Sequence, residues 1–169
     1  AAQVDINQTA EGYFNSANTK FDLEDYRGAI QDYNKVIEIY TDDADAYYNR
    51  GFAKRKLGDN RGAIQDYNKA IELNPDYTIA YINRGVAKYN LGDNRGAIQD
   101  LNKAIELNPN DVAYYNRGVA KSDLGDNRGA IQDYNKAIEL NPDYADAYYN
   151  RGVAKYNLGD KDGSCLDWS

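Results

Sequence analysis

The triplet Asn49-Arg50-Gly51 returns as Asn83-Arg84-Gly85, Asn116-Arg117-Gly118 and Asn150-Arg151-Gly152, at spacings of 34, 33 and 34 residues. A period of this length means that each copy is one supersecondary unit. Such a unit cannot bury its apolar face alone, so neighbours must stack. A second string, Gly-Asp-Asn-Arg-Gly-Ala-Ile-Gln-Asp, begins at Gly58, Gly92 and Gly125 and varies at 24–32 and 159–167. Five units follow, at 10–43, 44–77, 78–110, 111–144 and a truncated 145–169. They are expected to form a single solenoid over 10–169, preceded by an N-terminal extension over 1–9.

Within the second unit, 47–57 and 63–73 each read as about three helical turns, and Gly58-Asp59 separates them. Ala63, Tyr67, Ala70 and Ile71 fall at i, i+4, i+7 and i+8, which places them on one face that needs a partner. Gly58 suits the left-handed position after the first helix, and Asp59 suits the cap of the second. Asn74-Pro75 stops the second helix, after which Asp76 is expected to cap the next one. Gly51, Gly85, Gly118 and Gly152 sit inside helices despite a cost of about 1 kcal/mol relative to Ala. These glycines and the alanines at 63, 97 and 130 are expected to join successive hairpins closely. One residue is missing between Pro109 and Tyr114 relative to the other junctions, and its loss is expected in the loop, not in the helix.

Composition removes several chemistries. The 169 residues hold no His, no Met and one Cys, so there is no imidazole base, no nucleophile-histidine system, no multi-cysteine metal pattern and no internal disulfide. The 27 acids against 20 bases give a charge of −7, which opposes a phosphate-tracking surface and hence nucleic acid as a partner. No apolar run is long enough to span a bilayer. The start at Ala1 without any Met is expected of a trimmed or processed chain, and Asn7-Gln8-Thr9 spells a glycosylation acceptor that short patterns match by accident. Gly-Asp-Asn-Arg-Gly recurs as a connector and has no lysine-serine nucleotide signature; the acids lack calcium-loop spacing. The expectation is a non-enzymatic chain with no cofactor and no metal.

The pattern resembles the tetratricopeptide repeat family over nearly the whole chain. The resemblance is carried by Tyr47, Gly51, Gly58, Ala63, Tyr67, Ala70 and Pro75, and by their equivalents from Tyr81 to Pro109 and from Tyr114 to Pro142. The first unit departs, with Ala17, Glu24, Val36 and Thr41 at the glycine, glycine, alanine and proline sites; the last has Ser164 for Ala and Trp168 for Tyr. The resemblance implies an all-α, right-handed alpha-alpha solenoid of helix-turn-helix repeats. Its first helices would line a concave groove that binds a peptide or partner protein.

The groove residues implied by that pattern form ladders across the repeats. One is Asn15, Asn49, Asn83, Asn116 and Asn150; beside it stand Tyr48, Tyr115 and Tyr149, then Asn18 and Phe52, then Tyr89 and Tyr156. Amides can hold an extended backbone while rings supply apolar contact. Asn18 and Asn49 match two asparagines of the family's terminal-carboxylate clamp, but Phe14, Ile79 and Asn83 stand where its basic residues would be, so a neutral or mixed peptide is expected. Arg50, Arg84, Arg117 and Arg151 are expected to pair with Asp66, Asp100, Asp133 and Asp167 as scaffold ion pairs. The alternative is a self-associating structural spacer or assembly module, a homo-oligomer formed through the exposed terminal repeat or by swapping between near-identical repeats.

Overall fold

The computed structural model describes residues 2–167, with side chains from Thr9 onward; the side chains of Asn7 and Gln8, and Trp168, lie outside the described residues. Ten helices are found among them: α1 (Ala2–Asp22), α2 (Tyr26–Ile39), α3 (Ala44–Lys56), α4 (Asn60–Leu73), α5 (Thr78–Asn90), α6 (Asn94–Leu107), α7 (Asp111–Asp123), α8 (Asn127–Leu140), α9 (Ala145–Asn157) and α10 (Lys161–Asp167). The fold is all-α and built from antiparallel helix pairs. The chain divides into two compact units, 1–87 and 88–169, with the boundary inside α5. In the first, α1 pairs with α2 and α3 with α4, and α2 packs on α3. In the second, α7 pairs with α8 and α9 with α10, while α6 packs on α7 and α8 on α9.

The turns inside the hairpins follow from local chemistry. Gly58, Gly92, Gly125 and Gly159 all have φ between +82° and +88°, a conformation that costs an L side chain about 1–2 kcal/mol. The aspartate after each glycine accepts the N–H three residues on, as Asp59 does from Gly62 at 2.9 Å, and so caps the second helix. The first hairpin has Glu24 in the left-handed position, at φ 61°, and still caps through Asp25.

The links between hairpins differ from expectation at one residue. α5 starts at Thr78, and the Asp76 N–H donates to Asn74 Oδ1 at 3.2 Å. The side chain that closes this turn is therefore Asn74, and Asp76 lies one position too early to cap α5. In the equivalent link, Tyr144 holds the cap position of α9 without a side-chain cap. The short link behaves otherwise: Asn110 caps α7 by accepting from the Ala113 N–H at 2.9 Å. The missing residue is the linker tyrosine, and α7 keeps the same 13-residue length as α3 and α9.

Packing is carried by small residues and rings. A Cβ on Gly51 would meet Tyr67 Cε1 at 3.0 Å and the Ala63 carbonyl at 3.2 Å; on Gly118 it would meet Tyr134 Cε1 at 2.7 Å. These glycines thus close their own hairpin, because the ring opposite them belongs to the paired helix. The joints between hairpins are alanine: Ala87 of α5 packs on Ala63 and Tyr67 of α4, and Ala154 of α9 on Ala130 and Tyr134 of α8. Cys165 on α10 is exposed. Its counterparts Ile64 and Ile131 are half-buried against clusters that include Ala87 and Ala154 of the following hairpin.

Candidate functional site

In the first unit the facing surfaces of α1 and α3 leave a cavity of about 460 Å³. Asn18, Phe21 and Asp22 line it from α1, and Tyr48, Asn49 and Phe52 from α3. Tyr33 of α2, only 1% exposed, forms its floor. The helical period brings these together, since 18, 21 and 22, like 48, 49 and 52, fall on one face. Phe21 stacks on Phe52, with ring centroids 5.2 Å apart and planes at 21°, and Tyr48 stacks on Phe52 at 6.2 Å. The result is an apolar floor with amides and one carboxylate at its edge.

The hydrogen bonds separate rungs that look alike in sequence. Asn18 Oδ1 accepts the Tyr33 hydroxyl at 2.6 Å, which leaves its amide N–H groups for a ligand. Burial, with the Asp22 charge second, pushes the Tyr33 phenol up to about 12, so it remains a donor throughout the neutral range. Asn49 lines the cavity and makes no side-chain hydrogen bond among the described residues. Asn83 is committed instead: it is 8% exposed and donates to the Tyr48 hydroxyl at 3.1 Å and to the Ile79 carbonyl at 3.0 Å. In the second unit Asn150 donates to the Tyr115 hydroxyl at 2.9 Å, and Asn116 to the Val112 carbonyl of its own helix. Asn15 is exposed on α1.

The aromatic rungs also divide. Tyr48 packs on Tyr77 at 5.1 Å and Tyr115 on Tyr144 at 4.8 Å, so each first-helix tyrosine is wedged against the tyrosine of the following link. Tyr89 donates its hydroxyl to Asp123 at 2.6 Å, and that bond, with burial second, pushes its phenol up to about 12. Tyr149 and Tyr156 on α9 are 62% and 54% exposed. The structure therefore brings Asn18, Asn49, Tyr48 and Phe52 to one cavity and holds Asn83, Asn150, Tyr89 and Tyr115 in internal contacts.

Among the described residues two buried polar atoms beside this surface have no hydrogen-bond partner, Arg55 Nε and the Tyr67 hydroxyl. For Tyr67 the origin lies in the rung chemistry. Phe52 replaces the amide that Asn18 offers to Tyr33 one repeat earlier, so Tyr67 loses its acceptor and burial raises its pKa.

The arginine ladder forms a separate polar seam. Arg50 donates through Nε and a terminal nitrogen to both Asp66 oxygens, at 3.0 and 2.6 Å, and reaches Asn34 of the preceding hairpin at 2.8 Å. Arg117 does the same with Asp133 and Asn102, and Arg151 with Asp167 and Asn135. Arg84 reaches Asn68 at 2.7 Å, and Asp100 pairs with Lys88 at 2.8 Å. Each guanidinium also lies over the tyrosine three residues earlier, 5.1–5.4 Å from its centroid. A second cation joins each carboxylate, Lys54 on Asp66, Lys121 on Asp133 and Lys155 on Asp167. The first hairpin substitutes Ser16 and Lys20, both bonded to Asp32 at 2.6 Å. Burial works to raise the Asp167 carboxyl, but the hydrogen bonds from Arg151 and Lys155 outweigh it and hold it below the ordinary carboxylate range.

Among the described residues no helix is long and apolar enough to cross a membrane. Sequence profiles described as TPR repeat match residues 17–58 and 122–159, and those described as tetratricopeptide repeat match 44–77 and 78–111. A crystal structure of MamA protein is 27% identical with a TM-score of 0.87, covering 96% of this chain and 89% of that one. MamA 41-end from Desulfovibrio magneticus RS-1 is 20% identical with a TM-score of 0.89, covering 95% and 91%. YrrB, described as a TPR protein with an unusual peptide-binding site, is 24% identical with a TM-score of 0.77, covering 92% and 80%. No curated protein sequence matches the chain.

Proposed function

Because the chain belongs to the tetratricopeptide repeat family, we propose that it is a non-catalytic interaction scaffold, holding a peptide or partner protein on the face built by its first helices. The observation that carries this reading is the cavity between α1 and α3, where Asn49 and the amide nitrogen of Asn18 stand uncommitted over a stacked aromatic floor. An amide offers both a donor and an acceptor to an extended backbone, and the rings offer area at little entropic cost. A peptide-binding site is part of the description of YrrB, which shares this fold.

The test is partner capture from the native source with the parent chain, the Asn18→Ala/Asn49→Ala variant and Asn83→Ala. The double variant is expected to lose its partner while keeping its helicity. Asn83→Ala removes a buried bond to Tyr48 and is expected to cost about 1 kcal/mol of stability, with capture retained. Unchanged capture by the folded double variant removes the cavity as the binding site.

A further inference from the structure

The cavity carries one carboxylate on its lining and two cations over one of its rings. Asp22, the last residue of α1, lines the cavity, is exposed and forms no ion pair among the described residues. A carboxylate at that end opposes the partial negative charge of the helix C-terminus, so helix stability does not account for it. The equivalent carboxylate of the second unit, Asp123, accepts the Tyr89 hydroxyl; Asp22 has no such duty. On the neighbouring rung Arg55 and Lys56 end α3, and neither forms an ion pair among the described residues, although the chain carries a net charge of −7. Both instead lie over the Phe52 ring, at 4.9 and 5.6 Å from its centroid. The corresponding rungs of the other repeats, Tyr89-Asn90, Ser122-Asp123 and Tyr156-Asn157, hold no cation.

Phe21 adjoins Asp22 in sequence and stacks on Phe52, over which the two cations sit. One carboxylate therefore lines the cavity beside Phe21, and two cations lie over the ring stacked on it. We infer that this cavity takes an extended peptide segment in which an apolar side chain is flanked by one basic and one acidic residue. The apolar side chain covers the Phe21–Phe52 pair, the basic residue faces Asp22, and the acidic residue faces Arg55 and Lys56. This rests on the groove reading above and adds the charge pattern of the occupant.

Four fluorescently labelled peptides, blocked at both ends and sharing one central Leu in a Gly-Ser frame, test it by fluorescence anisotropy. Their flanking pairs are Lys and Glu, Lys and Lys, Glu and Glu, and Gln and Gln. At low salt the Lys/Glu peptide is expected to bind about three- to tenfold more tightly than the Gln/Gln peptide, as two exposed ion pairs allow, and added salt should shrink the difference. Asp22→Asn should abolish the gain from Lys alone, and Arg55→Gln/Lys56→Gln the gain from Glu alone. Equal affinities for all four peptides, or no binding by any, overturns the charge pattern. Equal affinities that all vanish in Asn18→Ala/Asn49→Ala overturn it while leaving the groove reading intact.

Discussion

Glu24 shows how one residue reports on its place in a repeat. Its four counterparts are glycines at φ between +82° and +88°, whereas Glu24 holds φ 61° with a side chain attached. The strain is of order 1–2 kcal/mol, partly returned because glycine makes the unfolded chain more disordered. Glu24→Gly is therefore expected to stabilise the first hairpin by up to about 1 kcal/mol, read as a higher midpoint in chemical denaturation. The Gly-Asp turns were legible in sequence because the glycine and the cap are adjacent and local. The Asp76 cap was misplaced because the turn is closed by Asn74, a choice among three neighbouring polar residues that propensity alone does not rank. The Lys54, Lys121 and Lys155 partners do carry a sequence signal: each lies four residues after its arginine, on the same helix face.

Between elements, the closeness of α7 to α8 exceeds that of α3 to α4 where the glycine faces the ring. The Cβ approach to Tyr134 is 2.7 Å and to Tyr67 3.0 Å, and both rings are buried and cannot swing away. Alanine recovers about 1 kcal/mol of helix propensity at either site, against an overpacking cost of about 1–3 kcal/mol. Gly118→Ala should thus be the more destabilising of the two, by about 1 kcal/mol relative to Gly51→Ala, in thermal melts of the two variants. The 34-residue period made the hairpins legible, since it fixes which helix pairs with which. The inequality of the asparagine rungs was not, because each depends on the residue one rung back: Tyr48 and Tyr115 offer hydroxyls to Asn83 and Asn150, while Phe14, the rung preceding Asn49, has none to offer.

For the molecule as a whole, tyrosine is the pH-sensitive component at the alkaline end. Tyr33, Tyr89 and Tyr144 are pushed up to about 12, and Tyr48, Tyr67, Tyr77, Tyr115 and Tyr134 are also raised; burial is the leading cause except at Tyr89, where the bond to Asp123 comes first. A raised folded-state pKa contributes stability that is fully present below the ordinary value of 10 and is lost as pH rises through the folded value. The chain is therefore expected to lose helicity between about pH 10 and 12, with tyrosinate absorbance rising in step with the loss of circular dichroism. A full tyrosinate signal reached before any helix is lost would contradict it. At the acid end the depressed Asp32 and Asp167 carboxyls have the opposite sign: burial pushes them up, the cations and hydroxyl beside them win, and their contribution fades as pH falls below the ordinary carboxylate range.

The arginine seam carries one more consequence. The second, third and fourth hairpins each bring a guanidinium that reaches backward and an asparagine for the next guanidinium, as Arg50 does with Asn34 and Arg151 with Asn135. A copy inserted beside its parent arrives with both halves of the junction already matched. Growth by duplication would therefore need no new recognition chemistry among the near-identical second, third and fourth copies.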